Sequence, residues 1–178
     1  AAKEAGIQLI IGSELRLEEG IRLVVLVPTR DAYSELSGLI SMARRRSPKG
    51  EYRVTLRDVI FHLKRCFLIW LPQMNDENSH AYGLQLKRLC KDRLWLGVNH
   101  LLGNNEVQRY LRLQQLAQEL DIPMLACGDV RMHTAKRKPL HDVFTALYHS
   151  TSIAQLGRRR LSNSQQHLRT IDKLPIPY

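Results

Sequence analysis

The sequence predicts an α/β protein with a largely parallel sheet, on three observations. Five short apolar runs, bounded by glycine, proline or charge, have the length and composition of strands buried on both faces. Between these runs lie stretches whose apolar residues recur at helical spacing. The composition of the 178 residues, 44% apolar and 25% charged, is that of a folded globular chain. Strands that alternate with helices predict βα units, whose chemistry gathers in the loops after the strands.

The elements can be placed in chain order. The predicted strands are residues 9–11, 22–27, 66–71, 94–98 and 124–127. The predicted helices are residues 30–45, 55–64, 80–91, 105–120 and 139–148. Either Thr29 or Asp31 is expected to cap the first helix, since both residue types suit that position. In the fourth helix, the apolar stripe predicted to be buried is Val107, Leu111, Leu113 and Leu116.

The domain organisation follows from composition along the chain. We expect a single partial domain over residues 1–156, then a basic, Ser/Asn/Gln-rich tail over residues 157–178 that leads toward a next domain. The start has neither an initiator Met nor a signal-peptide core, and Gly6 suits the position just after a helix whose beginning is absent. We therefore expect an N-terminally truncated domain of a larger protein. No run of about 18 apolar residues occurs, so no membrane partner is expected.

The cysteines indicate a compartment. Cys66, Cys90 and Cys127 are too far apart for a C-x-x-C metal or redox motif, and each lies in or beside an apolar run. We expect them to act as small buried hydrophobic side chains. An odd cysteine count without a secretory signal predicts a reducing compartment, and hence a cytoplasmic protein.

The charge balance is the strongest compositional signal. A formal net charge of +10 predicts an anionic partner, with nucleic acid the foremost candidate. Aromatic residues make up only 6%, so a base-stacking platform is not indicated. The basic clusters are Arg44, Arg45 and Arg46, then Lys136, Arg137 and Lys138, and then Arg158, Arg159 and Arg160. Each cluster either contacts phosphates without base specificity or is simply a solvated face.

Two carboxylates and two histidines are candidate site residues. Glu14 and Asp129 are predicted to follow the first and fifth strands, where they would hold a divalent metal, act as an acid/base pair or cap a loop. His100 and His133 are either further ligands, of a type that suits zinc or manganese, or solvated loop residues. A metal hydrolase needs more ligands than these, and no phosphate-binding or nucleophile motif occurs. The chain is therefore not expected to carry a complete active site.

Several segments together resemble one family. They are residues 2–14, which end in Gly-Ser-Glu, residues 33–52, which contain Ala-Arg-Arg-Arg-Ser-Pro-Lys-Gly-Glu-Tyr, residues 127–133, Cys-Gly-Asp-Val-Arg-Met-His, and residues 137–143. These segments resemble the PHP (polymerase and histidinol phosphatase) domain of bacterial C-family DNA polymerases, relatives of the polymerase III alpha subunit. Residues 43–52 and 129–133 look like the error-prone, translesion branch of that family.

The resemblance implies a fold and a parent activity. The fold would be a distorted TIM-like barrel of mostly parallel strands. The parent would be a magnesium-dependent DNA polymerase that bypasses lesions, with DNA, neighbouring polymerase domains and damage-response proteins as its partners. The family's polymerase carboxylates lie in a downstream palm domain. The resemblance therefore implies no catalytic residue and no cofactor in this chain.

The resemblance also assigns site residues. Glu14 matches the glutamate of the family's G-x-E segment, and Asp129 matches the aspartate of its D-x-H motif. Arg131 occupies the histidine position of that motif, and a guanidinium cannot ligate a metal. The family's early H-x-H would precede residue 1, His133 matches a family residue, and His100 does not align with one. The implied metal site is impaired, with Arg131 as a partner of Asp129 in place of a metal.

Three hypotheses for function follow. The first is a structural and interaction domain of an error-prone polymerase. The second is a metal-dependent phosphoesterase or 3′–5′ exonuclease with Glu14 and Asp129 among its ligands. The third is a free-standing basic module that binds nucleic acid. Metal stoichiometry separates the first two, and DNA binding with a steep salt dependence distinguishes the third.

Overall fold

The computed structural model of the chain describes residues 2–73, 77–103 and 105–170. Its strands and helices are, in order, β1 (Ile11–Arg16), β2 (Arg22–Val27), α1 (Arg30–Arg45), α2 (Leu56–His62), β3 (Phe67–Trp70), α3 (Ser79–Cys90), β4 (Leu94–Val98), α4 (Glu106–Leu120), β5 (Met124–Ala126) and α5 (Lys138–Tyr148). Short 3₁₀ turns lie at Lys91–Arg93, Ala135–Arg137, Ile153–Gln155 and Gly157–Arg159. The predicted α/β class is confirmed.

The chain divides into two compact units. The first contains Ala1–Gly97 and Leu113–Leu125, and the second contains Val98–Arg112 and Ala126–Tyr178. The division predicted between residues 156 and 157 stays a prediction. In the predicted tail, residues 160–170 form neither helix nor strand, and residues 171–178 lie outside the described part of the chain.

The sheet is mixed, with strand order β1-β2-β3-β4-β5. β1 pairs with β2 and β2 with β3 in antiparallel register, whereas β3 and β4 are parallel. The expectation of mostly parallel strands is therefore wrong for the first three strands. A tight turn joins β1 to β2, and in it the Leu17 amide donates to the Ile21 carbonyl at 2.9 Å. Because so short a connection can only form a hairpin, the two strands must be antiparallel. Two helices separate β2 from β3, while the single-helix crossover typical of parallel pairs joins β3 to β4.

The first strand lies later in the chain than the sequence indicated. The apolar run was expected at residues 9–11, but Leu9 and Ile10 are 69% and 67% exposed, and β1 begins at Ile11. The side chains that β1 and the following turn bury are Leu15 and Leu17, which alternate with charged residues. This is the pattern of a half-buried edge strand rather than of a strand covered on both faces.

The core of the first unit lies on one face of the sheet. The register places Leu23 opposite Trp70 and Leu68 opposite Leu94, and all four side chains are at most 2% exposed. The helices add buried apolar residues to the core, including Leu36, Leu39, Val59, Leu86, Leu113 and Leu120. Each fully buried side chain of this size contributes about 1.5–3 kcal/mol to the free energy of unfolding.

The helices agree with the sequence pattern within a residue or two at most ends. Thr29 caps α1, with its hydroxyl accepting from the Ala32 amide at 3.2 Å. The predicted stripe of α4 is wrong in its first half, because Val107 and Leu111 are 71% and 55% exposed. The buried residues of α4 are Leu113, Ala117 and Leu120, which share one face of the helix, and Val107 and Leu111 lie off that face.

Two cysteines behave as the sequence predicted. Cys66 and Cys90 are free and buried, at 0% and 3% exposure. Burial, and then the neighbouring carboxylate of Glu35, raise the pKa of the Cys66 thiol to about 11, so the thiol is protonated at neutral pH. Among the described residues, no helix is both long enough and apolar enough to cross a membrane.

A close approach of α3 to β3 generates a stability prediction. A Cβ atom at Gly83 would overlap the Leu120 side chain and would lie 2.9 Å from each of two ring carbons of Trp70, which is 2% exposed. We expect Gly83→Ala to lower the free energy of unfolding by about 1–3 kcal/mol, although alanine favours helices, because the overlap must be relieved within a packed core. Urea unfolding at neutral pH measures this change.

Gly38→Ala is the matched control. Gly38 lies on the exposed side of α1, and a Cβ atom there would meet nothing within 4 Å. This substitution should raise the free energy of unfolding by up to about 1 kcal/mol through helix propensity alone. Equal stability of the two variants would contradict the proposed close contact.

Candidate functional site

Glu14 lies in the middle of β1, so its predicted place after a strand is wrong. Its Oε1 atom accepts from Arg22 Nε at 3.1 Å and lies 3.4 Å from Arg16 Nε. Arg16 and Arg22 are paired across the β1–β2 hairpin, which places both guanidinium groups beside the same carboxylate. Glu14 therefore contacts two cations of its own hairpin.

A cleft of about 190 Å³ in the first unit includes Glu14. Arg44 and Tyr52 also line it, and the Arg44 guanidinium carbon lies 5.8 Å from the centre of the Tyr52 ring. The Tyr52 hydroxyl accepts from the Arg16 amide at 3.0 Å. Because its two charged groups, Glu14 and Arg44, have opposite sign, the cleft does not favour an anion or a cation strongly.

Asp129 follows β5, as the sequence predicted, and both of its carboxylate oxygens accept hydrogen bonds. Arg131 donates to Oδ1 at 3.1 Å, which is the contact expected for an arginine at the histidine position. Gln166, which is only 8% exposed, donates its side-chain amide to Oδ2 at 2.6 Å. The Gln166 carbonyl in turn accepts from the Arg131 amide at 2.8 Å and the Met132 amide at 3.2 Å.

Gln166 is the member of this cluster that sequence reasoning missed. It lies in the polar tail segment among serines, asparagine and another glutamine, and nothing in the sequence distinguishes it from them. Its burial depends on the segment at residue 166 returning to lie beside residues 129–132. A parallel bridge between Met132 and His167 continues the same contact.

The residues present do not fit a divalent metal. Glu14 contacts two guanidinium groups, and Asp129 accepts from a guanidinium and an amide, so cations already balance both carboxylates. Glu14 belongs to the first unit and Asp129 to the second. His100 Nδ1 lies 3.6 Å from Glu106 Oε1, and His133 is exposed. In the part of the chain that the structure describes, no three His, Cys, Asp or Glu residues form a group that could hold a metal ion.

The three arginines of the cluster Arg44, Arg45 and Arg46 make different contacts. Arg46 donates to the Arg53 carbonyl and to both carboxylate oxygens of Asp58, so its role is structural. Arg44 packs on Tyr52, as described above. Arg45 is exposed and has no ionic partner among the described residues, so it is the member most available to an external anion.

In the cluster of Lys136, Arg137 and Lys138, two side chains are exposed and the third forms an ion pair. Lys136 and Arg137 are exposed on a 3₁₀ turn. Lys138 donates to the two carboxylate oxygens of Asp142 at 3.1 and 2.8 Å. Asp142 is 2% exposed and also accepts from Arg160 Nε at 2.9 Å. Burial opposes ionisation of Asp142, but the hydrogen bonds from Lys138 and Arg160 outweigh it and lower the pKa of this carboxyl.

Asp142 joins the basic segments at residues 136–138 and 158–160, because it pairs with Lys138 of the first and Arg160 of the second. Lys138 and Asp142 are four residues apart on α5, a spacing at which opposite charges meet, so this half was readable from the sequence. The contact of Asp142 with Arg160 depends on the course of the following loop, for which the sequence gives no signal.

The Arg46–Asp58 pair generates a pH prediction. Burial opposes ionisation of Asp58, but hydrogen bonds from Arg46 and Thr55 outweigh it and lower the pKa of the carboxyl to about 2. The stabilisation is therefore fully present above an unfolded-state pKa of about 4 and is lost as the pH falls through about 2. We expect Asp58→Asn to lower the free energy of unfolding by about 2 kcal/mol at pH 7, and by progressively less in acid.

Chemical unfolding of both proteins across this pH range measures the effect. Asp31→Asn is the control, since Asp31 is an exposed aspartate in the first turn of α1 and its substitution removes the same charge. An Asp58→Asn effect that is the same at pH 2 and pH 7 would contradict the linkage to ionisation.

Comparison with known proteins identifies the proteins to which the chain is similar. No protein-family model matches it. The error-prone DNA polymerase of Teredinibacter turnerae is 44% identical over 176 residues, which cover 97% of this chain and 17% of the relative. The error-prone DNA polymerases of Saccharophagus degradans and Pseudomonas fluorescens are each 42% identical over 174 residues, with coverage of 98% of this chain and 17% of each relative.

The chain spans only about one sixth of the length of these curated relatives. Each alignment extends over 97–98% of this chain. The chain is thus a homologue of one segment of the error-prone DNA polymerases, which confirms the resemblance to that branch of polymerases, while its assignment to the PHP domain stays a prediction.

Proposed function

We propose that this chain is part of the PHP domain of an error-prone DNA polymerase and acts there as a structural and interaction domain. The parent protein adds deoxynucleotides to a primer opposite a template, across lesions, in the cytoplasm. Its polymerase carboxylates and their magnesium ions belong to a different part of the polypeptide. Similarity of 42–44% over almost the whole chain, to proteins six times its length, is the observation that carries this proposal.

The fold is compatible with this proposal. Over the described residues the sheet is open, and its β3–α3–β4 crossover links two parallel strands. β4 and β5 are also joined by a single helix, and the Leu96 amide donates to the Pro123 carbonyl beside β5 at 2.9 Å. βα units of this type build TIM-like barrels. The distorted barrel implied by the family resemblance is therefore part of the proposal.

The surroundings of Asp129 support a structural role for the remnant site. A guanidinium group beside a carboxylate balances its charge, but it cannot coordinate a water molecule and lower the pKa of that water as a metal ion does. The hydrogen bond from the buried Gln166 amide to the charged carboxylate contributes about 1.5–3 kcal/mol, whereas the exposed Arg131 pair contributes about 0–1 kcal/mol. Arg131, Asp129 and Gln166 therefore hold the loop after β5 against the segment at residue 166, where the intact family motif would bind metal.

The phosphoesterase or exonuclease alternative is disfavoured by the same contacts. Metal binding at Glu14 or Asp129 would have to displace Arg22 from one carboxylate and Arg131 from the other. Each displacement leaves a guanidinium beside the metal, which costs free energy through like-charge repulsion. A basic nucleic-acid-binding role does not face this obstacle and is compatible with a structural domain.

Metal stoichiometry and hydrolysis test the proposal together. The chain is incubated with Zn²⁺ or Mn²⁺ and then desalted. Elemental mass spectrometry should then detect no metal in a stoichiometric amount. Asp129→Asn, which keeps the size of the side chain but weakens metal ligation, should leave metal content and any manganese-dependent nuclease activity unchanged. The chain alone should not extend a primed template supplied with Mg²⁺ and deoxynucleotides.

Three outcomes would contradict the proposal. Stoichiometric metal that is lost in Asp129→Asn would support the hydrolase alternative, as would nuclease activity that the same variant abolishes. Primer extension by the chain alone would place polymerase chemistry within it. A thermal melt of each variant checks that it is folded under the assay conditions.

A further inference from the structure

The second unit contains an open cleft that neither the polymerase resemblance nor the Asp129 cluster explains. Its volume is about 840 Å³, within the range of about 300–1,000 Å³ typical of ligand sites. Lys138, Arg158, Arg160, Ser162, Asn163 and Ser164 line it. The cleft therefore brings the first residue of α5 together with the basic and polar segment at residues 157–164.

Buried contacts fix the walls of the cleft. Asp142, 2% exposed, accepts from both Lys138 and Arg160, and so orients the two cations from beneath. Asn163 donates to the Leu101 carbonyl at 2.6 Å, and its Oδ1 atom accepts from the Gln165 amide at 2.9 Å. These hydrogen bonds hold the loop of residues 160–164 in one conformation, although it contains neither helix nor strand.

Several hydrogen-bond donors at the cleft are left for a ligand. Arg160 uses Nε on Asp142, and within the described part of the chain its two terminal nitrogens have no partner. Arg158 has no hydrogen-bond or ionic partner among the described residues, and the same holds for the hydroxyl of Ser162. Two guanidinium groups and a hydroxyl are the donors that phosphate oxygens accept best.

The charge and composition of the lining define the ligand class. Three cations, Lys138, Arg158 and Arg160, line the cleft, and the buried carboxylate of Asp142 pairs with Lys138 and Arg160, which gives the four residues a formal net charge of +2. The lining contains no aromatic residue, so a base has no ring on which to stack. Contacts made by arginine and serine to phosphate oxygens carry no sequence information. The cleft thus suits a backbone of linked phosphates rather than a nucleobase.

We propose that this cleft binds the phosphodiester backbone of DNA, with Arg158 and Arg160 contacting phosphate oxygens and Ser162 donating its hydroxyl. The choice of DNA among polyanions rests on the proposed function, whereas the preference for phosphate rests on the cleft alone. Lys138 is not expected to contact phosphate, because its ammonium group already donates to both carboxylate oxygens of Asp142. Its role is to help position Asp142, which in turn orients Arg160.

Arg158→Ala and Arg159→Ala form a matched pair for the test. Both residues are exposed on the same 3₁₀ turn and both substitutions remove one positive charge, but only Arg158 lines the cleft. Fluorescence anisotropy of labelled single-stranded and duplex DNA, about 16 nucleotides long, measures binding to the 178-residue chain at several salt concentrations.

Arg158→Ala should weaken binding by about tenfold and reduce the slope of log affinity against log salt by about 0.7–0.9, because one phosphate contact is lost. Arg159→Ala should change the affinity less than threefold, since that charge acts only at a distance through screened solvent. Equal weakening by the two variants would indicate diffuse attraction to the basic surface and would overturn the cleft. Unchanged binding by Arg158→Ala would overturn it as well.

Arg160→Lys adds an independent check. A lysine at this position keeps a cation beside Asp142 but removes the planar fork that binds two phosphate oxygens. It should weaken DNA binding while leaving the thermal melt close to that of the original chain. Two DNA strands of equal length and different sequence should bind equally, and a tenfold preference for one would contradict backbone recognition.

The failures of the two proposals can be told apart. Absence of DNA binding by the cleft would leave the metal and primer-extension results of the proposed function untouched. Metal-dependent hydrolysis would overturn the structural role of the remnant site without changing the difference expected between Arg158→Ala and Arg159→Ala.

Discussion

The close approach of α3 to Trp70 constrains the packing of the first unit. The Trp70 side chain is almost fully buried on β3, opposite Leu23 of β2, and a Cβ atom at position 83 of α3 would overlap both the indole ring and the Leu120 side chain. An indole ring of this size sets the distance at which a helix packs on the sheet, because protein interiors leave few voids. The parallel pairing of β3 with β4 then follows from the crossover that α3 makes.

Outside the core, the structure satisfies its carboxylates with arginine and lysine. Asp58 pairs with Arg46, Asp129 with Arg131, and Asp142 with Lys138 and Arg160. Since the chain carries ten more cations than carboxylates, these pairs leave a surplus of basic side chains on the surface. The same interaction places Arg131 on Asp129 and leaves a basic cleft beside the buried Asp142.

Sequence patterns predicted the elements best where a single local signal was sufficient. β2, β4 and α1 have the bounds expected from their apolar runs and from the threonine cap. β1 was misplaced because its buried leucines alternate with charged residues, while a nearby continuous apolar run, Leu9–Ile11, is exposed. The α4 stripe failed because Leu111 and Leu113, two residues apart, lie on opposite sides of the helix, and the buried face is that of Leu113, Ala117 and Leu120.

The sequence by itself determined the fold class and the family resemblance, which implies that Arg131 occupies a metal-ligand position, since these depend on residue type and local spacing. The tertiary structure alone decided the mixed strand directions, the burial of Gln166 against Asp129 and the assembly of Lys138, Asp142 and Arg160 around one carboxylate. Such contacts join residues 18 to 37 positions apart or depend on how two helices return the chain. The free energy that selects them comes from packing and charge pairing across the fold, which no local pattern records.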